Sequence, residues 1–142
     1  MKMFKRATLA GQPSDMVKET SVIHLRFSAK NGLKSLVCFI ALVVIALYVR
    51  DSFIRPTVGD VLVVVWLYYF LASLFSMLVN WLVSLVVLIA FAVELGQLLQ
   101  VAAWLGIEPS SPLAVILGAT FDWKDLLAYC IGGLLCWWME KK

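Results

Sequence analysis

Between Leu82 and Leu105 the chain runs for twenty-four residues with a single charge, Glu94. At about 1.5 Å of rise per residue, such a run reaches across the ~30 Å hydrocarbon core of a bilayer. Further apolar runs over residues 33–49, 60–79 and 122–138 have the same character. With 63% hydrophobic residues, 15% charged residues and a mean hydropathy of +0.94, too little polar side chain is left to clothe a water-soluble surface. The pattern predicts an all-α, polytopic membrane protein of four transmembrane helices with the lipid bilayer as its first partner.

The connections follow from the local breakers. Pro56 and Gly59 mark a turn between the first two runs, and Thr57-x-x-Asp60 has capping-box spacing, so the second helix is expected to start near Asp60. Asn80-Trp81 leaves room only for a tight turn before the third. Ser111-Pro112 followed by apolar residues and Gly118 reads as cap, first-turn proline and stop. This predicts a short interfacial or re-entrant helix over residues 112–117, before the last span. Residues 1–30 lack a sustained period and read as a basic cytoplasmic tail, partly disordered, leaving residues 31–142 as the membrane domain.

Counting Lys and Arg by side gives nine with the two termini (Lys2, Lys5, Arg6, Lys18, Arg26, Lys30, Lys34, Lys141, Lys142) against three opposite (Arg50, Arg55, Lys124). Both termini are therefore expected on the cytoplasmic side. The basic residues flank apolar runs instead of forming one face, so no nucleic-acid partner is expected. Cys38, Cys130 and Cys136 have no CxxC spacing and read as packing residues. His24 stands alone, so neither a metal site nor a cofactor is predicted.

Glu94 is the residue that most needs an explanation. A charge at a bilayer centre costs about 2.5–3.5 kcal/mol on insertion scales, so it needs a partner or a function. Gln97 and Gln100 would extend it into a polar stripe if the helix continues. Four-span threading gathers Arg50, Asp51, Arg55, Asp60, Asp122 and Asp125 at the outer end, above that stripe. Glu94, Asp60 and Asp125 are the candidate acid–base groups; Arg50, Arg55, Gln97, Asp122, Trp123 and Tyr129 are the candidate ligand-binding residues. Each has a plainer structural role beside this one. Asp60, Asp122 and Asp125 suit helix N-termini, Trp123 an interfacial belt, Tyr129 a buried hydrogen bond, and Ala128-x-x-x-Gly132 close helix packing.

The motifs Val49-Arg-Asp-x-Phe-Ile-Arg-Pro-x-Val-Gly-Asp, Val93-Glu-Leu-x-Gln97 and Leu117-Gly-x-Thr-Phe-Asp-Trp-Lys-Asp-Leu-Leu-Ala-Tyr129 resemble a small bacterial membrane-protein family catalogued as a domain of unknown function. That family is similar to VanZ-like proteins. The resemblance implies a bacterial cytoplasmic membrane, a connection with the cell envelope, and no established reaction. Two functions are compatible with these residues. One is a carboxylate and arginine cluster that binds or processes an anionic or lipid-linked envelope ligand at the outer leaflet. The other is a non-catalytic accessory or scaffold subunit, in a homo-oligomer or with a membrane protein partner, whose polar groups are caps and interhelical bonds.

Overall fold

The computed structural model describes residues 23–117 and 121–142. The described residues form β1 (His24–Leu25), α1 (Ala29–Tyr48), α2 (Ile54–Leu74), β2 (Phe75–Ser76), α3 (Val79–Leu98), α4 (Val101–Trp104), α5 (Pro112–Leu117) and α6 (Trp123–Lys141). Helices α1, α2 and α3 are long and apolar enough to cross a membrane. Helix α6 is of similar length, but Lys124 and Asp125 in its first turn and Glu140 and Lys141 in its last make it less apolar.

Helix α2 is central, with α1 on one side and α3 and α6 on the other. The core lies among the last three: Val64, Val65, Tyr68 and Tyr69 of α2, Leu82 and Val86 of α3, and Tyr129 and Cys136 of α6. In α1 only Ser35 is buried, while Leu33, Val37, Ile40, Val44 and Leu47 are exposed. Each such side chain gains about 1.5–3 kcal/mol on leaving water, so this face calls for an apolar surrounding.

Gly132 and Gly133 are what bring α6 so close to its neighbours. A Cβ on Gly132 would sit 2.8 Å from Val64 Cβ and 3.0 Å from the Val61 carbonyl oxygen; one on Gly133 would sit 2.6 Å from Val87 Cγ2. The small-residue spacing from Ala128, itself buried, thus works as a packing face against both α2 and α3.

Several boundaries differ from the sequence expectation. Helix α2 begins at Ile54, so Thr57 and Asp60 lie inside it and form no capping box. Instead the Asp51 carboxylate accepts the Phe53 and Ile54 N–H groups at 2.8 and 2.9 Å. These bonds hold the Asp51 carboxyl below its ordinary range of pKa. The turn between α2 and α3 falls at residues 75–78, and Asn80 and Trp81 belong to the first turn of α3.

The chain is also not wholly helical. β1 pairs antiparallel with β2, His24 opposite Ser76 and Leu25 opposite Phe75. Arg26 N–H then donates to Leu74 O at 2.9 Å, Ser28 N–H to Ser73 O at 2.7 Å, and Asn31 Nδ2 to Ala72 O at 3.1 Å. The last turn of a helix leaves carbonyls without intrahelical donors; the segment before α1 satisfies two of them and Asn31, in the first turn of α1, a third. Residues 1–22 of the expected tail lie outside the described residues.

The third helix stops at Leu98, seven residues short of the expected end. Gln100 adopts a left-handed conformation (φ 52°), which a non-glycine residue rarely takes, and its carbonyl accepts from Ala103 and Trp104 to start α4. Gly106 (φ 62°) ends α4, with Gly106 N–H donating to Ala103 O and Ile107 N–H to Ala102 O. The expected short helix is present as α5, with Ser111 Oγ accepting from Ala114 N–H at 3.1 Å. Its expected stop, Gly118, lies outside the described residues.

Candidate functional site

The early end of α3 changes where Glu94 sits. It is four residues from the helix end, about 6 Å by helical rise, so it belongs to the end layer of the bundle and not to its middle. Gln100 lies beyond the break and is exposed, so the three-residue stripe does not form.

Two neighbouring helices close over this layer. Helix α2 runs into the bundle from Ile54 and presents Asp60 two turns in. Helix α6 begins on the same side and presents Asp122, Asp125 and Tyr129. Tyr129 lies four residues after Asp125, one turn further along the same face. Its hydroxyl donates to Glu94 Oε1 at 3.0 Å, joining α6 to α3. Glu94 is 2% exposed and Tyr129 8%, so this bond is sealed from surrounding solvent or lipid. The other oxygen, Oε2, is buried with no hydrogen-bond partner among the described residues, although the Asp122 backbone approaches the carboxylate.

Asp60 of α2 and Asp125 of α6 are half-buried neighbours, with Glu94 and Asp122 close enough to act on Asp60 through their charges. Asp122 has a second task as the N-cap of α6, accepting from Lys124 N–H at 3.0 Å. The layer thus sets a sealed Glu94–Tyr129 pair beside the half-buried Asp60 and Asp125. No group of three or more His, Cys, Asp or Glu residues among the described residues has the arrangement to hold a metal ion.

The remaining candidates are distributed more loosely. Arg55 is exposed in the first turn of α2 and shares with Asp60 a groove of about 290 Å³ between α1 and α2. Arg50 is exposed in the preceding loop, and Gln97 is half-buried near the end of α3. Trp123 is 73% exposed and meets Phe121 edge to face at 5.1 Å.

The opposite end of the bundle holds a polar group that the sequence reading did not assemble. Lys34 pairs with Glu140 at 3.3 Å and lies 4.5 Å from the centre of the Tyr69 ring. Trp137 Nε1 donates to Asn80 Oδ1 at 3.0 Å. These contacts link residues far apart in the chain, and no local pattern announces them.

Fold and site together define a helical protein with three helices fit to span a membrane and a buried carboxylate–tyrosine network at one end of the bundle. The chain belongs to the family described as Protein of unknown function (DUF2809), whose model matches residues 49–133, more than half of its length. All nine candidate site residues fall within that stretch, whereas Lys34 and Glu140 fall outside it. No curated protein and no solved structure matches the chain.

Proposed function

We propose that this chain is a bacterial cytoplasmic-membrane protein that crosses the bilayer four times and uses the Glu94 network to bind and process the headgroup region of a cell-envelope lipid. Four crossings follow if α6 shares the membrane with its neighbours. It runs from Asp125 near Asp60 of α2 to Glu140 beside Lys34 of α1, and so reaches from one end of the bundle to the other. The excess of Lys and Arg near the two termini supports placing both in the cytoplasm, which puts the carboxylate network under the outer leaflet. The likeness of the family that its motifs resemble to VanZ-like proteins supports a role at the cell envelope.

The observation that carries this reading is the sealed Glu94 carboxylate, held by Tyr129 through one oxygen and buried at the other, next to the more open Asp60 and Asp125. Carboxyl groups in different surroundings hold their protons differently, and acid–base work at one pH requires such a difference. In this reading Asp60 and Asp125 exchange protons with the ligand, Glu94 sets the charge behind them, and Arg55 holds an anionic group at the rim.

A second reading is favoured by two specific contacts. The Tyr129–Glu94 bond joins α3 to α6, and Asp122 caps α6, as expected of a scaffold or accessory subunit whose polar groups serve architecture. Reconstitution in vesicles of phosphatidylethanolamine and phosphatidylglycerol, followed by lipid mass spectrometry over time, separates the two. The first reading expects lipid conversion by the parent protein and its loss in a folded Glu94→Gln variant. Absence of conversion by the parent, or full conversion by Glu94→Gln, leaves the scaffold reading standing.

A further inference from the structure

Asp60 belongs to two surroundings at once. On one side it faces Asp125 in the network; on the other it lines the groove between α1 and α2. That groove has Arg55 at its rim, Leu42, Ile45 and Val63 on its apolar walls, and Gly59 beside Asp60. Arg55 makes no ion pair among the described residues, where Lys34–Glu140 forms the salt bridge. The acid of the preceding loop, Asp51, is engaged with the Phe53 and Ile54 N–H groups. The rim therefore presents an available guanidinium above an apolar trough.

We propose that this groove is the docking site of a phosphate-bearing membrane lipid, its phosphate on Arg55 and its chain along Leu42, Ile45 and Val63, with Asp60 as the point where it meets the carboxylate network. The inference rests on the reading of the network as a lipid-processing site. Charge complementarity sets the choice of occupant: guanidinium and phosphate match in geometry as well as in sign, and the walls below accept hydrocarbon. Asp60 lies five positions after Arg55, about 7.5 Å along α2. A phosphate held at the rim places at Asp60 the part of the lipid just beneath it, where headgroup and chain are joined.

Gly59 gives a clean test, because a Cβ there would meet nothing within 4 Å. Gly59→Leu puts a side chain into the groove from a position where its first carbon meets no neighbour, and a leucine also suits the helix better than glycine does. The full chain is reconstituted in phosphatidylcholine vesicles containing a phosphatidic acid with a photoactivatable tail. After irradiation the adducts are located by peptide mass spectrometry. The expected result is adducts concentrated on Leu42, Ile45, Ala46 and Val63, lost in Gly59→Leu, and about tenfold weaker labelling in Arg55→Gln. A diacylglycerol probe with the same tail should not respond to Arg55→Gln.

Adducts spread evenly over the apolar surface overturn the proposal, as do adducts concentrated between α3 and α6 or labelling unchanged in Gly59→Leu. The two readings fail separately. Labelling as expected without any lipid conversion defeats the processing reading alone; conversion with labelling and rate unchanged in Gly59→Leu defeats the groove alone.

Discussion

Removing the Tyr129 hydroxyl is the sharpest probe of the Glu94 layer. In Tyr129→Phe the ring is kept and one donor is lost, so Glu94, 2% exposed, has both carboxylate oxygens without a side-chain donor among the described residues. Interhelical hydrogen bonds in membranes average about 0.6 kcal/mol and reach ~1.7, while orphaning a buried acceptor costs about 1–3 kcal/mol. The sealed position of this pair argues for the overlap of those ranges, about 1–2 kcal/mol. Glu94→Leu should by itself strand the tyrosine hydroxyl at a comparable cost. The double variant Tyr129→Phe/Glu94→Leu strands neither group, so its loss should be smaller than the sum of the two by about 1–2 kcal/mol. The assay is reversible unfolding in mixed micelles, followed by tryptophan fluorescence, on all four proteins of the cycle. Additive losses, with coupling below about 0.3 kcal/mol, would refute the claim that this bond ties α6 to α3.

Two further outcomes follow from the packing and the caps. Gly132→Ala pushes a methyl group against Val64 and the Val61 carbonyl, whereas Gly59→Ala meets open space; both gain the same helix propensity. The first should therefore be the less stable by about 1–3 kcal/mol in the same unfolding assay, and equal stabilities would mean that α2 and α6 do not approach this closely. Asp51, whose pKa the Phe53 and Ile54 N–H groups lower, adds stability that is present above its unfolded pKa and fades as pH falls through the folded one. Carbon-detected NMR should find Asp51 titrating below the ordinary carboxylate range of about 3.9, and a value at or above it would remove the cap from the account.

Much of the helical layout was legible because it depends on local signals. Apolar runs give long helices whatever they pack against, and Ser111-Pro112 starts α5 as its chemistry dictates. The errors arose where a local signal competed with one from elsewhere. Thr57 and Asp60 resemble a cap, but Asp51 reaches the free N–H groups first and draws the start of α2 back to Ile54. The break at Gln100 has neither glycine nor proline to announce it, and it moves Glu94 from mid-helix to the end layer. The pairing of β1 with β2, and the capping of α2 by Arg26, Ser28 and Asn31, join segments more than forty residues apart and leave no local pattern.

The sequence by itself determined that this chain makes long apolar helices, with Glu94 the lone charge in the longest run and Asp122 and Asp125 at the start of the last. Those properties reside in composition and period, which are local. Only the tertiary structure decided what Glu94 meets, because a hydrogen bond needs two atoms about 3 Å apart and helix positions in the chain do not set helix positions in space. Packing α6 onto α2 and α3 through Gly132 and Gly133 brings Tyr129 to Glu94 and Asp125 to Asp60. The same packing leaves Arg50 and Trp123 exposed at the surface.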